Sequence, residues 1–209
     1  MRIKALTLAA ALACTGASQA ATIDWNTWQA DGSGIMGANT ISYTGENDGV
    51  RFDTLFTPVS TFADGSVVAN APVQANGIRE LIGGNSTVNT ITFSSAVVNP
   101  VMAIWSLGQG GVQASFAFNN ATPVLISGGP STQYAGNPIT VSGNSVFGVE
   151  GNGTVQFMGT YTSLSWTNPV AENYYGFNVG VAAVPEPAEY GMLLAGLAAV
   201  GLIARRRRS

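Results

Sequence analysis

The chain has 209 residues, no histidine and one cysteine, and only 9% of it is charged against 26 glycines, whereas soluble domains ordinarily carry about 25% charge. Six of its eight basic residues sit at the two ends, so Thr22 to Val184 holds two basic and nine acidic residues and a charge of −7. That stretch has no lysine, histidine or cysteine, which excludes nucleic-acid binding through clustered Lys and Arg, a Ser–His or Cys–His nucleophile and a His/Cys zinc site.

At the start of the chain, Arg2 and Lys4 precede an apolar run from Ala5 to Ala13, and Ser18-Gln19-Ala20 follows with small residues. This order predicts a secretory signal helix over residues 1–20, cut by signal peptidase between Ala20 and Ala21. The run is too short for a permanent span, which takes about 20 apolar residues. A lipoprotein reading centred on Leu12-Ala13-Cys14 is weakened by Ala11, where a bulky aliphatic residue belongs. Cleavage after Ala20 removes Cys14, so the mature chain has no disulfide and rests on core burial.

Residues 21–183 predict one all-β domain, a two-sheet jelly-roll-like sandwich. Their hydrophobicity alternates with period two, and turn residues recur every 8 to 12 positions. In chain order the predicted strands are Thr22 to Trp28, Ile41 to Thr44, Val50 to Phe56, Thr87 to Phe93 and Val101 to Leu107. They continue as Val112 to Phe118, Val124 to Ser127, Ile139 to Phe147, Thr154 to Met158, Thr162 to Trp166 and Tyr174 to Val181. Val101 to Leu107 is apolar on both faces and reads as a central, covered strand. The pairs Gly83-Gly84, Gly110-Gly111, Gly128-Gly129 and Asn152-Gly153 read as hairpin turns. Only the two ends show a helical period.

Three groups of side chains in this body are candidates for chemistry. Glu46, Asp48 and Asp53 cluster as calcium ligands would, since Ca²⁺ takes six to eight oxygens. Asn47-Asp48-Gly49 also reads as a plain turn, and the spacing is not that of an EF-hand loop, so the domain is expected to need no cofactor, with calcium as the alternative. Glu80 and Glu150 are the acids a glycosidase would need about 5 to 10 Å apart, but nothing in the sequence brings them together and no enzymatic role is expected. Among the aromatic residues, Trp105 and Trp166 read as core. Tyr174 and Tyr175 face opposite ways, and Trp25 and Trp28 are the least committed; an exposed subset would suit stacking on sugars. Thr90-Ile91-Thr92 and Thr160-Tyr161-Thr162 occur, but no period links them into the regular array an ice-binding face requires.

The chain ends in Val184-Pro185-Glu186-Pro187, then an uncharged stretch from Tyr190 to Ala204, then Arg205-Arg206-Arg207-Arg208. The two prolines keep the motif extended and outside any helix or sheet ladder. The apolar run predicts a transmembrane helix of about 22 Å at 1.5 Å per residue, short for a hydrocarbon core of about 30 Å and therefore suited to a transient anchor. The four arginines form a membrane stop and place the tail in the cytoplasm.

This ordered tail, residues 184–209, resembles the PEP-CTERM sorting signal of Gram-negative bacteria, a tail type also catalogued as the C-terminal segment of ice-binding proteins. The resemblance implies that an exosortase recognises Val184, Pro185, Glu186 and Pro187 at the inner membrane, cuts there and passes the body to the cell surface or extracellular matrix. It also implies an association with exopolysaccharide and biofilm. Glu150 to Phe157 and Ser165 to Pro169 resemble stretches that recur in other bodies carrying this tail. The expectation is a non-enzymatic secreted surface protein, with a carbohydrate-binding module, calcium-dependent or not, as the alternative.

Overall fold

The computed structural model describes residues 19–46, 49–183, 194–198 and 200–201. The body is a sandwich of two eight-stranded sheets, antiparallel apart from one short parallel pair. The first sheet runs β10 (Pro123–Gly128), β14 (Gly151–Phe157), β8 (Val101–Leu107), β16 (Tyr175–Ala182), β6 (Ile78–Leu81) and β5 (Val50–Arg51). In it β1 (Ile23–Trp25) adds to β16, and β11 (Asn137–Pro138) lies parallel to β14. The second runs β12 (Thr140–Ser142), β13 (Ser145–Gly148), β9 (Ala114–Phe118), β15 (Thr160–Thr167), β7 (Asn89–Val98), β4 (Asn39–Thr44), β3 (Gly34–Met36) and β2 (Thr27–Trp28).

Alternation along the strands builds the inter-sheet core. Ile91 and Phe93 of β7, Phe116 and Phe118 of β9, and Leu164 and Trp166 of β15 face Ile104 of β8, Val155 and Phe157 of β14, and Phe177 of β16. The rings of Trp166 and Phe177 meet edge to face at 5.1 Å, bridging the sheets, the geometry that aromatic quadrupoles favour. As its two-sided apolar pattern predicts, β8 is buried along its whole length, between β14 and β16.

The first sheet has a second core on its outer face. Segment 52–76 leaves β5, carries the short helix α1 (Val59–Phe62), and lays Phe56, Phe62, Ala63, Val68 and Ala71 over Trp25, Ile78, Val101, Ala103 and Trp105. Trp105 is therefore core, as expected, but core of this outer layer. Trp25 and Trp28 are buried as well.

Several expectations about element boundaries are corrected. The strand expected to reach Phe56 ends at Arg51, because Thr54 and Phe56 bury into the outer layer instead. Ile139 to Phe147 is a hairpin, β12 and β13, turned at Gly143, whose φ of +59° suits glycine. Asn152-Gly153 is not a turn but lies within β14, where a register shift accommodates it. A Cβ at Gly153 would stand 2.3 Å from the Ser127 carbonyl oxygen, so the residue type reflects close strand approach. Strands β3, β6 and β11, and helix α1, carry no pattern long enough to read in advance.

The expected signal helix lies outside the described residues, apart from Gln19 and Ala20, which have no helical structure. Of the predicted membrane segment, residues 194–198 and 200–201 are helical and exposed, and the rest lies outside the described residues. Among the described residues no helix is long and apolar enough to cross a membrane.

Candidate functional site

The two ends of the body meet at one sheet edge. β1 pairs with the last strand, Ile23 opposite Ala182, and the Ala183 N–H donates to the Thr22 carbonyl at 2.8 Å. On its other side the N-terminal segment is held by 67–70. The Ala21 N–H donates to the Val67 carbonyl, the Ala69 N–H donates to the Ala21 carbonyl, and the Asn70 amide both accepts from the Ile23 N–H and donates to its carbonyl. Burial alone would push the Asp64 carboxyl up, but hydrogen bonds from Ser66 and from the Val68 and Val67 amides hold it at about 2, which fixes that turn. Ala21, the expected first mature residue, is thus already engaged in the fold. Val184, Pro185, Glu186 and Pro187 follow directly in the chain and, like Arg205, Arg206, Arg207 and Arg208, lie outside the described residues.

The candidate calcium ligands have other partners. One Glu46 oxygen accepts from the Ile82 and Gly83 amides at 3.0 and 2.8 Å. Asp53 pairs with Arg51 at 2.9 Å, and the guanidinium beside it holds its carboxyl below the usual range. Asp48 lies outside the described residues. Among the described residues no three His, Cys, Asp or Glu side chains converge as a metal site.

Of the two acids weighed for catalysis, Glu80 pairs with Arg51 at 3.3 Å, and Glu150 accepts from the Ser106 hydroxyl at 3.0 Å. Near Glu150 the structure places Glu172 instead, buried and accepting from the Gly108 N–H at 3.0 Å. Burial, and then the neighbouring charge of Glu150, push its carboxyl up to about 8 against the pull of Gly108. No pattern marks Glu172 in the sequence, since it sits in the short loop between β15 and β16 and depends on a partner 64 residues away.

An aromatic cluster lies on the outer side of the first sheet. Trp105 is covered by Tyr134 and Tyr174, whose hydroxyls bond each other. The Arg51 guanidinium stands 4.9 Å from the Tyr174 ring centroid. Tyr174 therefore has a ring on one side and a cation on its other contact, leaving Tyr134 as the exposed aromatic of the group. Tyr175, as the alternation requires, is wholly buried.

The outer face of the second sheet has a different character. None of its eight strands contains a charged residue. Register aligns its hydroxyls in rows that no sequence period reveals: Ser42, Thr92 and Ser163 in one, Thr44, Thr90 and Ser165 in the next. A third row joins Ser94 to Thr40, whose N–H donates to the Ser94 hydroxyl, and reaches Ile35. A groove of about 520 Å³ crosses this face, walled by Gln29, Ser33, Thr40, Ser42, Thr92 and Ser94, with Ile35 as its exposed aliphatic surface.

No curated protein and no solved structure matches the chain. Residues 183–208 match the PEP-CTERM protein-sorting motif, and with it the chain carries the signal of an exported, exosortase-targeted surface protein.

Proposed function

We propose that this chain is a non-enzymatic surface or extracellular-matrix protein of a Gram-negative cell, associated with biofilm exopolysaccharide. A signal peptidase cuts it between Ala20 and Ala21, the tail anchors it briefly in the inner membrane, and an exosortase then processes it at Val184 to Pro187. The sorting motif carries this reading. Among the described residues the last hydrogen bond of the body, from the Ala183 N–H to Thr22, falls just before the motif, so a cut at the motif leaves the described sandwich contacts in place. A non-catalytic body is supported by the absence of lysine, histidine and cysteine between Thr22 and Val184 and by the engagement of Glu80 with Arg51 and of Glu150 with Ser106.

The test is the mass of the mature protein from hosts with and without exosortase. Loss of Arg205 to Arg208 only in the competent host is the expected result. A tail still ending in those arginines in the competent host overturns the reading.

A second reading, a carbohydrate-binding module, is favoured by the uncharged, hydroxyl-lined groove of the second sheet. It is tested by glycan binding with and without Ca²⁺, and absence of binding across neutral and acidic polysaccharides removes it.

A further inference from the structure

The groove on the second sheet combines several hydroxyls with an exposed aliphatic side chain and no charge. Its walls offer five hydroxyls, each able to donate and accept, and the Gln29 amide, which also does both. Ser33 already donates to Asp31 and Ser94 already accepts from the Thr40 N–H, so Thr40, Ser42 and Thr92 keep the most capacity for a ligand. Ile35, 54% exposed, supplies the apolar patch against which the C–H face of a sugar ring can lie. The Asp31 carboxylate is turned onto Ser33, accepting from its hydroxyl at 2.7 Å and its N–H at 2.9 Å. No charged side chain lines the groove. The hydroxyl rows repeat about 4.8 Å apart across strands and about 6.8 Å along them, a dense grid of groups with the hydrogen-bonding capacity of a polyol.

The partner follows from complementarity. An anionic polymer finds no cation here and meets a body of charge −7. An apolar peptide or lipid finds Ile35 as the one exposed apolar side chain of the lining, because Ile41 and Phe93 are buried. A chain of uncharged sugars matches both the hydroxyl grid and the absence of charge, and it gains by engaging successive rows at once. The aromatic cluster of the first sheet fits less well, because Tyr174 is already taken up by Trp105 and Arg51.

We infer that the groove between β2, β3, β4 and β7 is a binding site for a neutral polysaccharide, with Thr40, Ser42, Thr92 and Ser94 as hydrogen-bonding residues and Ile35 as the contact for the sugar face. This rests on the carbohydrate-binding reading and gives it a site and a ligand class.

The test uses the full chain in mild detergent, titrated with mixed-linkage β-glucan, mannan and galactan as neutral probes and with alginate and polygalacturonate as acidic ones. At least one neutral probe is expected to bind, with little change on adding salt. Ser42→Arg, which fills the groove, is expected to weaken that binding about tenfold or more, and Thr40→Val with Thr92→Val, which keeps the shape, by about threefold to tenfold. Tyr134→Ala on the other sheet is expected to leave it unchanged, with near-ultraviolet circular dichroism confirming the fold of each variant. Neutral binding that ignores the groove variants overturns this site and leaves the broader carbohydrate reading standing, as does binding of acidic probes alone. No binding to any probe overturns both, while the sorting reading is still decided by the mass of the mature C-terminus.

Discussion

The two sheets share one core but meet solvent by opposite means. The first turns an apolar outer face to the world and covers it with segment 52–76; the charged strand residues Asp24, Arg51, Arg79 and Glu80 all belong to this sheet. The second leaves its outer face bare, builds it from serine and threonine, and keeps its polar investment partly inside. There Asn168 accepts from the Asn89 amide at 2.8 Å and the Trp166 indole at 2.9 Å, and donates to the Ser115 carbonyl at 2.9 Å, tying together β7, β15 and β9. Cover and charge thus go with the first sheet. Buried hydrogen bonds tie strands in both, through Asn152 and Asn178 in the first and Asn168 in the second, but the plain hydroxyl face goes with the second.

The sharpest test of this contrast is Asn168→Ala. It orphans three buried partners at once, and each buried group left unsatisfied costs about 1–3 kcal/mol. A loss of about 3 kcal/mol or more in a urea titration is expected, with the second sheet failing together with the first. A loss under about 1 kcal/mol would mean the network does not organise that sheet.

Next in size is Phe62→Ala in the cover of the first sheet. Phe62 is fully buried and meets Phe56 edge to face at 5.2 Å. Deleting a buried phenylalanine costs about 3–5 kcal/mol where the site cannot collapse. The low end is expected here, because the layer is one segment thick and can relax. Hydrogen exchange should quicken first in 54–71 and leave β7 and β15 protected. Uniform loss of protection would show that the cover and the sandwich are one cooperative unit.

These differences also set what the sequence could disclose. Period-two alternation placed β7, β9, β15 and β16, and a run apolar on both faces placed β8. The sorting tail was legible because its parts are contiguous. The outer layer was not, since Thr54, Phe56, Phe62 and Val68 follow no single period, and their burial depends on a sheet whose strands lie far along the chain. The hydroxyl rows were hidden for a related reason. Thr90 and Thr92 are neighbours in sequence, but Ser42 and Ser163 join them only through register. Glu172 was missed because its environment, unlike its neighbours in sequence, is made by Gly108 and Glu150.

Glu172, in the loop that leads into β16, gives the fold a pH dependence near neutrality. Its carboxyl is raised from 4.5 to about 8 in the folded chain, so between those values the folded state holds a proton that the unfolded state releases. Stability must therefore fall as pH rises from about 4.5 to about 8 and level off above. Glu172→Gln keeps an acceptor for the Gly108 amide and removes the titration. Its melting temperature should match the parent near pH 4 and exceed it near pH 8. An identical slope in parent and variant would contradict the burial assigned to this carboxyl.

The smallest expected effect is the most discriminating between the two outer faces. Thr92→Val on the bare face swaps an exposed hydroxyl for a methyl of the same shape, and such surface changes usually stay within about 0.5 kcal/mol. Arg51→Ala, at the margin of the first sheet, removes pairs with Asp53 and Glu80 and a contact with Tyr174. The exposed pair with Asp53 contributes about 0–1 kcal/mol, and the pair with the half-buried Glu80 adds to it. If hydroxyls on the second sheet serve recognition, Thr92→Val should leave the urea midpoint in place while glycan affinity drops, and Arg51→Ala should do the reverse. Should Thr92→Val instead shift the midpoint by as much as Arg51→Ala, the rows would be part of what holds the strands in register, and the division between a covered, charged sheet and a bare, recognising one would fail at its most exposed point.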